Sequence, residues 1–379
     1  MRHSVIESCR SGRRSGAGDD SLNSVSLIEV QKNVPLAPYT TLGVGGPALW
    51  FCEASTEPEV AEAVAFAHEK KVPLFVLGGG SNLLVSDSGF AGLVLRVSVP
   101  GRTVTQGESS TVDLEAGAGE DWDAVVRLAV EHDFAGMECL AGIPGDVGGT
   151  PVQNVGAYGQ EVADTIVRVR AFDLEQAEWV DLTREQCGFA YRRSIFNSTH
   201  RGRYIVTAVT YRLRHRGAPS LRYADVQRHF AAQLSAGQQP SLVEVYEAVR
   251  QIRAGKGMLA GQGGPNGQSA GSFFKNPVVP ETHVESIASA VSMPPADVPR
   301  WPVGEGFVKL PAAWLIERAG FARGYTMGPA GISTLHTLAL VNRGGARAVD
   351  LLALRDTVIA GVASRFGVRL EQEPVLLGF

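Results

Sequence analysis

The sequence predicts an α+β protein in two parts, one over residues 34–216 and one over residues 223–379. Three observations lead there. Helix-like and strand-like patterns alternate from about residue 27 onward. Three glycine clusters interrupt the first 160 residues. After Arg216 the pattern shifts to strong helices around one glycine-rich loop. A chain of 379 residues suits two or three domains and buries a sizeable core.

The elements follow in order. Residues 1–25, rich in Ser, Arg, Gly and Asp, lack the apolar stretch of a secretory signal and read as a disordered tail. EPEVAEAVAFAHEKK puts Val60, Ala63, Val64 and Ala67 on one face, which predicts an amphipathic helix. PLFVLGGGSNLLV reads as a buried strand, a glycine turn and a second extended run. GLVLRV and VDLEAG are further strands. DWDAVVRLAVEHDF is a helix with Asp121 as its cap. TIVRVRAFDL, EWVDL and YIVTAVTYRLR are strands with partial alternation. SLVEVYEAVRQIRA is a strong helix. A glycine-rich loop and GSFFKNPVV follow, and helical patterns near 281–291, 311–319 and 347–364 complete the chain.

Bulk properties exclude several classes. The formal net charge is −4, so no positive field favours nucleic acid or an anionic membrane. Cys9, Cys52, Cys139 and Cys187 contain no C-x-x-C pair, which argues against a zinc knuckle, a redox dithiol or any other metal site built on them. Free thiols fit a reducing cytoplasm. No apolar run approaches the ~18 residues of a membrane span.

The glycine clusters are Thr40–Ala48 (TTLGVGGPA), Leu77–Val85 (LGGGSNLLV) and Ile143–Gly159 (IPGDVGGTPVQNVGAYG). Glycine lets backbone N–H groups approach an anion closely, and several such loops together can wrap a pyrophosphate. The candidate positions are Gly45, Gly46, Gly78, Gly79, Gly80, Ser81, Asn82, Pro144, Gly145, Gly149, Thr150 and Gly156. Leu77–Val85 runs on into strand-like residues, not a helix, so it is no dinucleotide fingerprint of the βαβ kind. RAGKGM lacks the P-loop spacing. GQSAGSFFKNP, residues 267–277, contains G-x-S-x-G at Gly267, Ser269 and Gly271. A nucleophile elbow needs a buried strand before that serine and a helix after it. The preceding LAGQGGPNGQ is no strand, which moves the interest to Ser272.

LGGGSNLL, IPGDVGGTPVQNVGAYG, YRRSIF and GSFFKNP together resemble the UDP-N-acetylenolpyruvoylglucosamine reductases, flavoenzymes of bacterial cell-wall precursor synthesis. The resemblance runs from Val34 to Phe379, and LRYADV is similar to the longer, type I branch. It implies the FAD-binding fold of the vanillyl-alcohol-oxidase class over 34–216, in lobes of about 34–98 and 99–216, and a family-specific carboxy-terminal substrate domain over 223–379. It also implies FAD, NADPH and a nucleotide-sugar substrate in a cytoplasmic enzyme, with a monomer the expected state. None of the three glycine motifs contains histidine, so FAD is expected without a covalent bond.

The reaction so implied passes hydride from NADPH through the flavin to an enol ether, and charge develops beside the substrate carboxylate. Arg192 in YRRSIF matches the family's arginine; a guanidinium holds a carboxylate by two parallel hydrogen bonds. Ser272 matches the proton donor. A hydroxyl suffices because an enolate of a carboxylate is a very strong carbon base. Glu373 in LEQEPVLLG matches the carboxy-terminal glutamate that assists this transfer, though Pro374 stands where valine is commoner. Tyr223, Lys256, Asn276 and His336 match substrate contacts, His336 where some relatives carry glutamine; a satisfied core histidine is the other reading there. Lys256 is followed by GMLAGQGGPNG in place of Leu-Pro-Asp-Pro, a longer loop. The competing functions are an alcohol oxidase of the same FAD class and a non-catalytic flavin or nucleotide-sugar binder.

Overall fold

The computed structural model describes residues 28–379 apart from 260, 262 and 265. The tail expected over 1–25 lies outside the described residues.

The first lobe is a four-stranded sheet in the order Val30–Pro35, Pro47–Ala54, Phe90–Val97, Leu74–Leu77. Phe90–Val97 runs parallel to both of its neighbours. The helix Glu57–Lys70 makes the crossover that parallel strands require. Thr56 and Glu59 close a capping box at its start, and Val60, Ala63 and Ala67 are buried against Cys52, Leu93 and Leu95.

The second lobe is an antiparallel sheet in the order Glu178–Thr183, Ile166–Asp173, Tyr204–His215, Thr111–Gly117, Arg102–Gln106. The helix Trp122–Glu131 lies on it, and the Asp121 side chain accepts from the Ala124 N–H at 2.8 Å, the expected cap. Its core takes in Val226, Phe230, Leu242, Val245 and Val249. The helix Leu242–Gly255, capped by Ser241 and Glu244, thus packs with the second lobe, although it follows the change of pattern at Arg216.

The rest of the chain builds its own core. Helices Val284–Ala290, Ala312–Arg318 and Ala348–Phe366 pack with two three-stranded sheets and with Phe273 and Phe274. Leu42, Val44 and Leu84 join this core from the first lobe. The final strand, Val375–Leu377, then returns to the first lobe and pairs in parallel with Leu83–Val85, the end of the second glycine cluster. That return brings residues 371–373 to the glycine loops. Among the described residues no helix is long and apolar enough to cross a membrane.

Candidate active site

The glycine clusters converge. Gly45 and Gly46 lead into the strand Pro47–Ala54, with the Gly46 N–H on the Ser86 carbonyl at 2.8 Å. Gly78–Asn82 links the strands Leu74–Leu77 and Leu83–Val85. It touches the loop of Pro144 and Gly145: a Cβ on Gly79 would stand 2.7 Å from the Gly145 Cα. Gly80 has φ +62°, and a Cβ there would lie 1.8 Å from the Tyr39 carbonyl oxygen. Only glycine permits both approaches. A Cβ on Gly78 or Gly149 would meet no atom within 4 Å, so open space faces the backbone of both loops. Such a cradle fits the diphosphate of a dinucleotide. The Thr150 hydroxyl is fixed by the Val147 carbonyl at 2.8 Å and by Tyr211 at 2.7 Å. Ser81 packs against Gly145, where a Cβ would lie 2.8 Å from the Ser81 Oγ.

Asn82 connects this cradle to the chemistry. Its amide donates to Gln153 Oε1 at 2.7 Å and to the Glu373 carbonyl at 3.3 Å. Its own carbonyl accepts the Val375 N–H at 3.0 Å. Glu373 Oε1 lies 3.1 Å from Arg192 Nε. The contact is an ion pair without a well-aimed N–H, because Arg192 Nε is buried with no hydrogen-bond partner. Arg192 Nη2 donates to the Gly156 carbonyl at 2.9 Å, and a Cβ on Gly156 would sit 3.4 Å from Nη1. Burial pushes the Glu373 carboxyl above the usual range, and Arg192 and Lys275 only partly oppose it. Arg192 itself has φ +54°, a conformation that costs a non-glycine residue about 1–3 kcal/mol.

The serine loop is zipped to the same segment. The Glu373 N–H donates to the Phe273 carbonyl at 2.8 Å, and the Lys275 N–H to the Glu371 carbonyl at 2.9 Å. Ser272 therefore stands one residue from the backbone partner of Glu373. Glu371 points to solvent, its side chain 75% exposed against 10% for Glu373, which separates the two acidic positions. Ser269 bridges to Val341 and the Gly271 N–H turns back to its hydroxyl at 3.4 Å, with no helix following. It is not a nucleophile elbow. Asn266, in the glycine-rich segment before the serine loop, is tied down: its amide oxygen accepts from Ser333 Oγ at 2.9 Å and the Thr334 N–H at 3.0 Å.

The remaining candidates divide. Tyr223 and Lys256 gather around a residue that the sequence did not single out, Tyr158. Tyr158 stacks edge-on with Tyr223 at 5.3 Å, and Lys256 Nζ lies 5.3 Å from its ring centre. Lys256 also pairs with Asp225 at 2.7 Å. Burial, and then the charges of Lys256 and Arg323, push the His336 imidazole down to about 4. The Leu338 N–H donates to its Nδ1 at 3.1 Å, so the neutral ring carries its proton on Nε2. Asn276, by contrast, points its amide oxygen at the Ala312 N–H at 2.9 Å and caps a helix. Arg253, also not singled out, is buried on the carbonyls of Gly142 (3.0 Å) and Met258 (2.7 Å). The signal for Tyr158 lies in GAYG, where the ring stands between two glycines.

Residues 48–183 match the family described as FAD binding domain, and the touching glycine loops lie inside that match. Fold and site thus define an FAD-dependent oxidoreductase. Residues 264–377 match the UDP-N-acetylenolpyruvoylglucosamine reductase C-terminal domain, which contains Ser272 and Glu373. The chain is 46% identical to the UDP-N-acetylenolpyruvoylglucosamine reductase of Thermobifida fusca over 92% of its length and 98% of the relative's. It is also 46% identical to that of Nocardia farcinica, over 96% and 94%. The crystal structure of the Thermus caldophilus reductase superposes with a TM-score of 0.61 at 28% identity, covering 92% of this chain and 98% of that one. The chain belongs to the UDP-N-acetylenolpyruvoylglucosamine reductase family. It is a UDP-N-acetylmuramate dehydrogenase of peptidoglycan precursor synthesis, acting on a nucleotide sugar.

Proposed function

We propose that the protein reduces UDP-N-acetylglucosamine enolpyruvate with NADPH, as a cytoplasmic monomer holding FAD without a covalent bond. The observation that carries this reading is the meeting of Arg192, Glu373 and the Ser272 loop beside Asn82 of the glycine cradle. When bound, FAD supplies the two-electron carrier that takes hydride from NADPH and gives it to the enolpyruvyl methylene carbon. Gly78–Asn82, Pro144–Thr150 and the Gly45–Gly46 turn hold its diphosphate.

Arg192 binds the enolpyruvyl carboxylate and opposes the charge that grows on it as the double bond is reduced. Its guanidinium stays charged at any working pH. Ser272 gives its hydroxyl proton to the carbon that bears the carboxylate. Glu373 is kept in place by the Phe273 carbonyl and Asn82, and its raised affinity for a proton suits it to restoring the Ser272 hydroxyl. Lys256, Tyr223, Tyr158 and His336 take the diphosphate and sugar. Asn276 contributes through its helix cap and the position of the serine loop.

The test is direct. Purified protein is yellow, bleaches with NADPH without oxygen, and recovers colour when UDP-N-acetylglucosamine enolpyruvate is added. Recovery with oxygen only, or a colourless protein, contradicts the reading.

A further inference from the structure

Glu138 is a buried acid that the reaction does not use. It opens the short helix Glu138–Leu140, ahead of the third glycine cluster, and is 1% exposed. Its carboxylate accepts three N–H groups: Gly136 at 2.8 Å, the Gln160 side chain at 2.9 Å and Ser220 at 2.7 Å. None of these donors is charged. A carboxylate is costly to bury, and a set of well-placed donors is what offsets the loss of water. Gly136 and Gln160 lie inside the flavin-binding unit. Ser220 belongs to the segment that leads to Tyr223.

The rest of that segment lies along the same strip, in reverse order. Cys139 donates its backbone N–H to Gln160 Oε1 at 2.7 Å and its thiol to the Ser220 carbonyl at 3.3 Å. Gly159 stands against Arg222: a Cβ on the glycine would lie 3.3 Å from the Arg222 Cβ. Tyr158 meets the Tyr223 ring edge-on. Residues 160, 159 and 158 thus face 220, 222 and 223 in turn. The Ser220 hydroxyl is buried without a hydrogen-bond partner among the described residues, so the backbone of this residue is the tie and its side chain is not. Tyr223, at the far end, is 40% exposed, so its aim depends on how the segment is held at Ser220.

We propose that Glu138 is a positioning residue for substrate binding: it pins the base of residues 218–223 to the flavin-binding unit and so aims Tyr223 at the nucleotide sugar. Buried behind Gln160 and Ser220, it acts through Tyr223. The inference rests on the functional reading above, in which Tyr223 takes the diphosphate and sugar. That reading gives Tyr223 no part at the reacting carbon. Loss of its aim therefore weakens binding and spares the chemical step.

Two measurements test this. The first needs no substrate: hydrogen exchange of the Ser220 amide in the FAD-loaded protein. Glu138→Met keeps the side-chain length and removes every acceptor, and exchange is expected to quicken about tenfold or more. Ser220→Ala keeps the backbone N–H and exchanges as wild type. The second is recovery of the NADPH-bleached flavin by stopped flow over a range of UDP-N-acetylglucosamine enolpyruvate concentrations. Glu138→Met is expected to raise the half-saturating concentration about tenfold and to leave the limiting rate within about threefold. Tyr223→Ala raises it likewise, and Glu138→Met adds nothing in that background. A Tyr223→Ala protein that saturates like wild type overturns the reading of Tyr223, while exchange still judges the anchor. Unchanged exchange overturns the anchor. Where Tyr223→Ala does weaken binding, a Glu138→Met protein that saturates like wild type, additive losses, or a fall in limiting rate alone overturn the positioning role. If Glu138→Met does not retain flavin, Ser220→Pro decides. It removes the one N–H that Glu138 takes from the segment and leaves the carboxylate with its other two donors. A raised half-saturating concentration at the wild-type limiting rate supports the role, and wild-type saturation overturns it.

Discussion

Arg192 and Glu373 meet at 3.1 Å although they come from different parts of the chain. The contact exists because Val375–Leu377 returns to pair with Leu83–Val85, immediately beyond the glycine loop. The same return places the Glu373 backbone on Phe273, beside Ser272. The residues proposed to recognise the carboxylate, deliver the proton and cradle the cofactor are therefore brought together by one crossing of the chain.

Glu373 gives a pH-dependent signature. Burial raises its folded-state pKa above that of the unfolded chain, so the folded state binds this proton more tightly. Its contribution to stability is full below the unfolded value of about 4.3 and declines as pH rises through the folded value. Glu373→Gln removes that slope. Melting temperatures of wild type minus variant should fall steadily from pH 4 to pH 7. A flat or rising difference contradicts the burial argument.

Gly79→Ala should weaken FAD binding. A Cβ there meets the Gly145 backbone at 2.7 Å, and the two loops must separate. About a tenfold rise in the FAD dissociation constant, or ~1.4 kcal/mol, is expected. Fluorescence titration of the apoprotein measures it, with circular dichroism showing the fold intact. Unchanged FAD affinity would mean that the loops do not form the cradle.

His336 should stay neutral through the physiological range. Its pKa is lowered to about 4 by burial, then by Lys256 and Arg323. A histidine lowered in this way contributes stability above its ordinary value of about 6.5, and that contribution is lost as pH falls toward 4. An NMR titration of the His336 ring should show no midpoint between pH 5.5 and 8, and Lys256→Met should raise the midpoint. A titration near 6.5 would place His336 in open solvent.

Much of this fold was legible in local signals. Asp121 announced a helix that the structure caps as expected, and SLVEVYEAVRQIRA a helix that the structure contains. The glycine clusters marked loops that do touch. Other elements carried no such signal. The strand Pro47–Ala54 opens with proline and exposes Leu49, which spoils its alternation, and Arg102–Gln106 is an edge strand exposed along its whole length. The site residues were named by motif, but their partners were not. Tyr158 beneath Lys256, Asp225 beside it and the Asn276 cap on Ala312 all depend on long-range packing that no local periodicity encodes.

The most direct test of the central claim is Ser272→Ala in separate half-reactions without oxygen. The account predicts bleaching by NADPH at close to the wild-type rate. It predicts that recovery with UDP-N-acetylglucosamine enolpyruvate slows by about 10²–10⁴-fold, the range for loss of a positioned proton donor. Equal loss in both half-reactions, or recovery at the wild-type rate, would contradict Ser272 as the donor.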